Sequence, residues 1–141
     1  MSVTYNTSFH CATEETFVHI TYSWNIPCIK KYGLFASKDG LMGPAVYCCK
    51  ACDTSTIKEV KELLQEIIDW PYVKTKSDEF NPGTLSIPCL VSVFFSYTGN
   101  YLYGENSDIA GYVAIPYDNI PPHFIKLITD TDFTEIDGTT L

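Results

Sequence analysis

Apolar positions along the chain follow two rhythms. One runs Ile57, Val60, Leu63, Leu64, Ile67, Ile68, with steps of 3, 3, 1, 3 and 1. That spacing draws a stripe down one face of a helix. Thr56 and Glu59 have the Thr-x-x-Glu spacing of a capping box, with Asp53 as an alternative cap. Trp70-Pro71 ends the helix, because a residue before proline avoids helical backbone. A helix over 56–69 with its apolar face inward is therefore expected. The other rhythm is short runs of β-branched and aromatic residues. Segments 16–22, 45–49, 89–97, 111–115 and 123–128 read as strands, and the continuous apolar run 89–97 as a central one. Segment 25–32 reads as a short helix, with Pro27 in its first turn and Gly33 as its stop. Turns are expected at Ser37-Lys38-Asp39-Gly40 and Thr98-Gly99-Asn100, and a polar loop over 72–87. Late strands with no helices between them indicate an α+β fold, not a doubly wound parallel sheet.

Length and composition narrow this further. The 141 residues suffice for one domain, expected over 1–141 with its core at about 16–128. Hydrophobic residues at 45% and charged residues at 18% describe a globular chain. Nine Lys+Arg against 17 Asp+Glu give a net charge of −8, which disfavours nucleic acid and anionic membranes but permits a basic protein partner. The tail carries Asp130, Asp132, Glu135 and Asp137 with no base among them, and reads as a frayed end or a terminal acidic edge. No apolar run nears the roughly 18 residues of a membrane span, and no secretory leader is visible, so an intracellular, cytoplasmic or nuclear place is expected. The six cysteines are then expected as free thiols. Cys49-x-x-Cys52 stands as a single pair, where a zinc site needs two, so no metal is expected.

The chain carries neither a G-x-x-x-x-G-K-[ST] nor a G-x-G-x-x-G phosphate loop, and no G-x-S-x-G elbow. A different arrangement stands out. His19 lies in a strand with Thr21 two residues on, hence on the same face. Beyond the short helix, Leu41-Met-Gly-Pro-Ala-Val-Tyr47 brings a tyrosine onto the next strand, and Ser55 stands near the head of the long helix. Read on their own, these are equally a core histidine and one of ten tyrosines on a half-buried sheet.

Phe17-Val-His-Ile-Thr21 resembles the His-Gly-Thr/Ser strand of the poly(ADP-ribose) polymerase branch of the ADP-ribosyltransferase superfamily. Cys28-Ile-Lys-Lys-Tyr-Gly-Leu34 is similar to that family's helix and following Gly-Leu/Phe. Asp39-Gly-Leu-Met-Gly-Pro-Ala-Val-Tyr-Cys48 is similar to its G-x-x-G-x-G-V/I-Y strand, and the stretch from Gly111 to Ile125 to its last motif. The resemblance spans about 17–128, with no motif over 59–110. It implies a bowl-shaped split antiparallel sheet that holds NAD as substrate. It also implies roles for His19 and Tyr47 as catalytic residues. His19 would bond the adenosine ribose, the Ile20 backbone would pair with the nicotinamide carboxamide, and Thr21 would belong to the same binding set. Tyr47 would stack on the nicotinamide ring and Ser55 would bond its amide.

Two departures shape the expected activity. Ile20 replaces the family's glycine, and Gly111 stands where the polymerases carry a catalytic glutamate. Chain elongation needs that carboxylate at the ribose 2′-hydroxyl. The resemblance therefore implies mono-ADP-ribosyl transfer to a protein or nucleic-acid acceptor, or a catalytically inactive derivative. Glu105 and Asp108 lie in the preceding loop as possible substitutes, and Gly111→Glu tests the register, since gained activity would support both the fold and the alignment. A third class remains: an acidic interaction or inhibitor protein that binds a basic partner without catalysis.

Overall fold

The computed structural model describes residues 7–38, 40, 42–68, 90–105, 110–116 and 119–130. In chain order these form β1 (Thr7–Tyr22), α1 (Ile26–Tyr32), β2 (Leu34–Phe35), β3 (Val46–Lys50), α2 (Thr54–Ile68), β4 (Leu90–Gly104), β5 (Tyr112–Ile115), β6 (Asn119–Ile120) and β7 (Ile125–Asp130). The fold is α+β, and every strand pairing described is antiparallel.

The sheet is split. β1, β3, β5, β4 and β7 form one sheet in that order, and β2 and β6 form a second. β1 also pairs with β4 along nearly its whole length, so the ladders β1–β3–β5–β4 return to β1 and curl the sheet. Its concave side holds the main core: Phe17 of β1, Val46 and Cys48 of β3, Val93, Phe95 and Tyr101 of β4, Val113 and Ile115 of β5. Ile26 and Ile29 of α1, Leu34 and Ile120 cover that core. The opposite face carries Val18 and Cys49 beneath Ile57 of α2, with Ile20, Val60 and Phe94 packed around them. Alternating side chains thus serve two apolar surfaces.

α2 starts two residues before the expected Thr56, because Asp53 is the cap. Its Oδ1 accepts the Thr56 backbone N–H at 3.2 Å. Ile57 is buried and Val60 and Leu64 are half-buried, but Leu63 is 59% exposed, so the stripe covers less of the helix than its periodicity suggests. The side chains of Ile67 and Ile68, the loop expected at 72–87 and the tail from 131 lie outside the described residues.

The expected turn at Thr98-Gly99-Asn100 does not exist. β4 continues through it to Gly104, paired with the first half of β1 from Ala12↔Gly99 to Thr7↔Gly104. His123 sits in a single helical turn before β7, not in the strand. No helix among the described residues is long and apolar enough to cross a membrane. The five described cysteines are unpaired: Cys48 and Cys49 are buried, and Cys11, Cys28 and Cys52 are exposed.

Candidate functional site

The ladder between β1 and β3 is only two residues long, Phe17↔Lys50 and Val18↔Cys49. Past Val18 no ladder joins these two strands, while β4 still pairs with the far edge of β1. A side chain bridges the gap: His19 Nδ1 bonds the Tyr47 carbonyl oxygen at 2.6 Å. A carbonyl only accepts, so Nδ1 carries the proton. Burial pushes the His19 pKa down, against a smaller opposing push from the Tyr47 bond. The ring is therefore neutral near pH 7, with a lone pair on Nε2. Nε2 makes no hydrogen bond among the described residues.

His19 and Thr21 line one groove of about 320 Å3, together with Asn25, Cys28, Gly33 and Phe35. Their two-residue spacing on β1 brings them together. Asn25 Nδ2 donates to Thr21 Oγ1 at 2.8 Å, which fixes that hydroxyl at the groove wall. Phe35 is 62% exposed at the mouth, with the Tyr32 ring 6.4 Å away. Asn25, Cys28 and Phe35 were not legible as site residues. They come from the helix and strand that follow β1, and only the fold over the concave face delivers them.

Tyr47 is placed differently. Val46 and Cys48 point to the main core and Cys49 to the α2 side. Tyr47 shares the parity of Cys49, whereas His19 shares that of Phe17. The two side chains thus leave the sheet on opposite faces, and His19 meets Tyr47 through the latter's carbonyl only. The Tyr47 hydroxyl donates to the Gly43 carbonyl and accepts the Met42 N–H at 2.8 Å. Its ring lies against the Gly40 backbone and packs edge-on to Tyr112 at 5.6 Å. Burial raises its phenol pKa. The ring is a clamp on the 40–43 turn.

Ile20 lies half-buried with the cluster beneath α2, and its backbone pairs with Ser92. Its side chain therefore points away from the groove that His19 lines. Ser55 is exposed on the first turn of α2 and does not line that groove.

Gly111 is closely surrounded. It adopts φ +80°, and a Cβ there meets Thr56 Oγ1 at 2.0 Å and Asp53 Oδ2 at 2.9 Å. The first turn of α2 occupies the space that a glutamate side chain at 111 needs. Gly111→Glu is thus a disruptive change, not a clean restoration of a carboxylate. Among the described residues no three His, Cys, Asp or Glu side chains gather as metal ligands. The chain matches no family model, no curated protein and no solved structure.

Proposed function

We propose that the chain binds NAD, or another nicotinamide-bearing nucleotide, where β1 and β3 part, and that it transfers at most a single ADP-ribosyl group. The observation that carries this reading is the His19 clasp. An imidazole held neutral, with Nδ1 fixed on the Tyr47 carbonyl, offers Nε2 as an acceptor for a ribose hydroxyl. Thr21 and Asn25 add a hydroxyl and an amide on the same groove wall. Beyond Val18 the β1 edge has no ladder with β3, which suits a carboxamide that pairs with backbone. In this reading Tyr47 acts by orienting His19, and its ring clamps the neighbouring turn.

The proposal also sets the limit of the chemistry. Loss of nicotinamide builds positive charge at the ribose, and a nearby carboxylate stabilises it. Gly111 supplies none, and absence of one such contact costs roughly a hundredfold or more in rate. Polymer is not expected.

A melting-temperature titration with NAD and with nicotinamide tests binding, since a ligand of the folded state alone raises the midpoint. His19→Ala should weaken NAD by about five- to thirtyfold, the loss of one buried hydrogen bond of roughly 1–2 kcal/mol. Labelled NAD then reads transfer: a single adduct supports catalysis, and binding without an adduct assigns the inactive form. No shift at millimolar NAD refutes the reading and leaves a non-catalytic acidic interaction protein.

A further inference from the structure

The long β1–β4 ladder is interrupted once, between Ala12 and Glu15, where Thr13 and Glu14 oppose the single residue Thr98. This is a β-bulge. Glu14 adopts φ +50°, alone in positive φ among the described non-glycine residues. Its N–H donates to Thr98 Oγ1 at 3.0 Å. Glycine takes this backbone freely, whereas a long side chain there is strained. A carboxylate thus sits where glycine makes the more stable bulge. Strained backbone of this kind clusters at ligand-binding and other functional sites.

The bulge walls a groove of about 450 Å3, lined by Glu14, Ser96, Tyr97, Thr98, Asn119 and Phe124 among others. The Tyr97 hydroxyl is spent on the Asn100 carbonyl at 2.6 Å. Glu14 is exposed, and its carboxylate has no ion pair among the described residues. Its neighbour Glu15 is already paired with Lys50 at 3.6 Å, and Lys126 reaches Thr16 instead. Phe124 is 44% exposed, with His123 tilted against it at 4.3 Å. Among the described residues no lysine or arginine lines the groove; a carboxylate, two hydroxyls, an amide and an open aromatic ring do.

These groups suit a planar cation. A guanidinium forks onto a carboxylate with two parallel hydrogen bonds and lies flat on an aromatic face, which an ammonium does less well. The net charge of −8 draws a basic partner toward the surface. We propose that this groove receives an arginine side chain of a basic partner protein, seated between Glu14 and Phe124. The proposal does not depend on nucleotide binding at His19.

The test titrates the full chain with a nine-residue Gly/Ser peptide carrying three arginines, and with its lysine and citrulline counterparts, by calorimetry and NMR. The arginine peptide should bind, with shifts centred on Glu14, Thr98 and Phe124. Citrulline should weaken it by about tenfold or more, and lysine by less. Glu14→Gln should lose a similar factor at unchanged melting temperature. Glu14→Gly should lose it while raising the melting temperature, because the bulge is relieved. Equal binding of the citrulline peptide overturns the proposal. So does full affinity in Glu14→Gly, a fall in its melting temperature, or an equal loss in the exposed α2 variant Glu66→Gln, which would mean diffuse charge attraction.

Discussion

Replacing Gly111 by alanine is predicted to cost about 2–4 kcal/mol of folding stability. Two sources add. The backbone sits at φ +80°, where an L side chain pays about 1 kcal/mol. The new Cβ also falls 2.0 Å from Thr56 Oγ1 and 3.0 Å from Thr56 Cβ. Thr56 is 7% exposed and its backbone N–H is held by Asp53, so it has little room to retreat. Overpacking of this kind costs about 1–3 kcal/mol. Gly43 separates the two sources. It has φ +94° with no atom of the described residues within 4 Å of its Cβ position, so Gly43→Ala should lose only the backbone part, about 1 kcal/mol. Urea unfolding of both variants at pH 7, with unchanged slope, measures the difference. Equal losses would refute the packing of α2 on the entry to β5. Domains of this kind carry roughly 5–15 kcal/mol in total, so both variants remain folded for the comparison.

Other outcomes follow from the same geometry. His19 has a folded-state pKa below its unfolded one, so the unfolded chain binds the extra proton first. Stability should be full above about pH 6.5, the ordinary histidine value, and fall as pH drops through the folded pKa. In His19→Gln that part of the acid sensitivity should vanish, and a profile identical to the parent would contradict the half-buried neutral ring. Ile57→Ala should cost about 2–4 kcal/mol and Leu63→Ala about 0.5 kcal/mol or less, since one is buried and the other exposed. Comparable losses in urea melts would mean α2 is rotated from the facing described. Burial raises the thiol pKa of Cys48 well above its ordinary value and that of Cys49 to about 12. Peptide mapping after brief alkylation at pH 8 should find Cys11, Cys28 and Cys52 labelled and this pair unlabelled until denaturant is added. Early labelling of either buried cysteine would contradict the β3 packing.

What could be read along the chain depended on how local its cause is. α2 was legible because its stripe and its cap lie within one segment, with Asp53 settling the boundary. The second half of β4 was not. Thr98-Gly99-Asn100 has turn chemistry, yet its partners on β1 lie more than eighty residues away, and pairing with Ala12 and Cys11 keeps it extended. β2 and β6 are two residues each and exist only because Leu34 and Ile120 meet over the core. The same distinction divides the candidate site. His19 and Thr21 share a groove because the period of a strand is two, a property of β1 alone. Whether Tyr47 joins them depends on the alignment of β1 with β3. With Val18 opposite Cys49, Tyr47 leaves the sheet on the α2 side. A slip of one residue would carry its ring to the concave face beside His19. No pattern within either strand encodes that offset. It is set by Val18, Cys49 and Ile57 closing one core while Phe17 and Cys48 close the other. The two-core packing therefore decides that Tyr47 presents its carbonyl, not its ring, to His19.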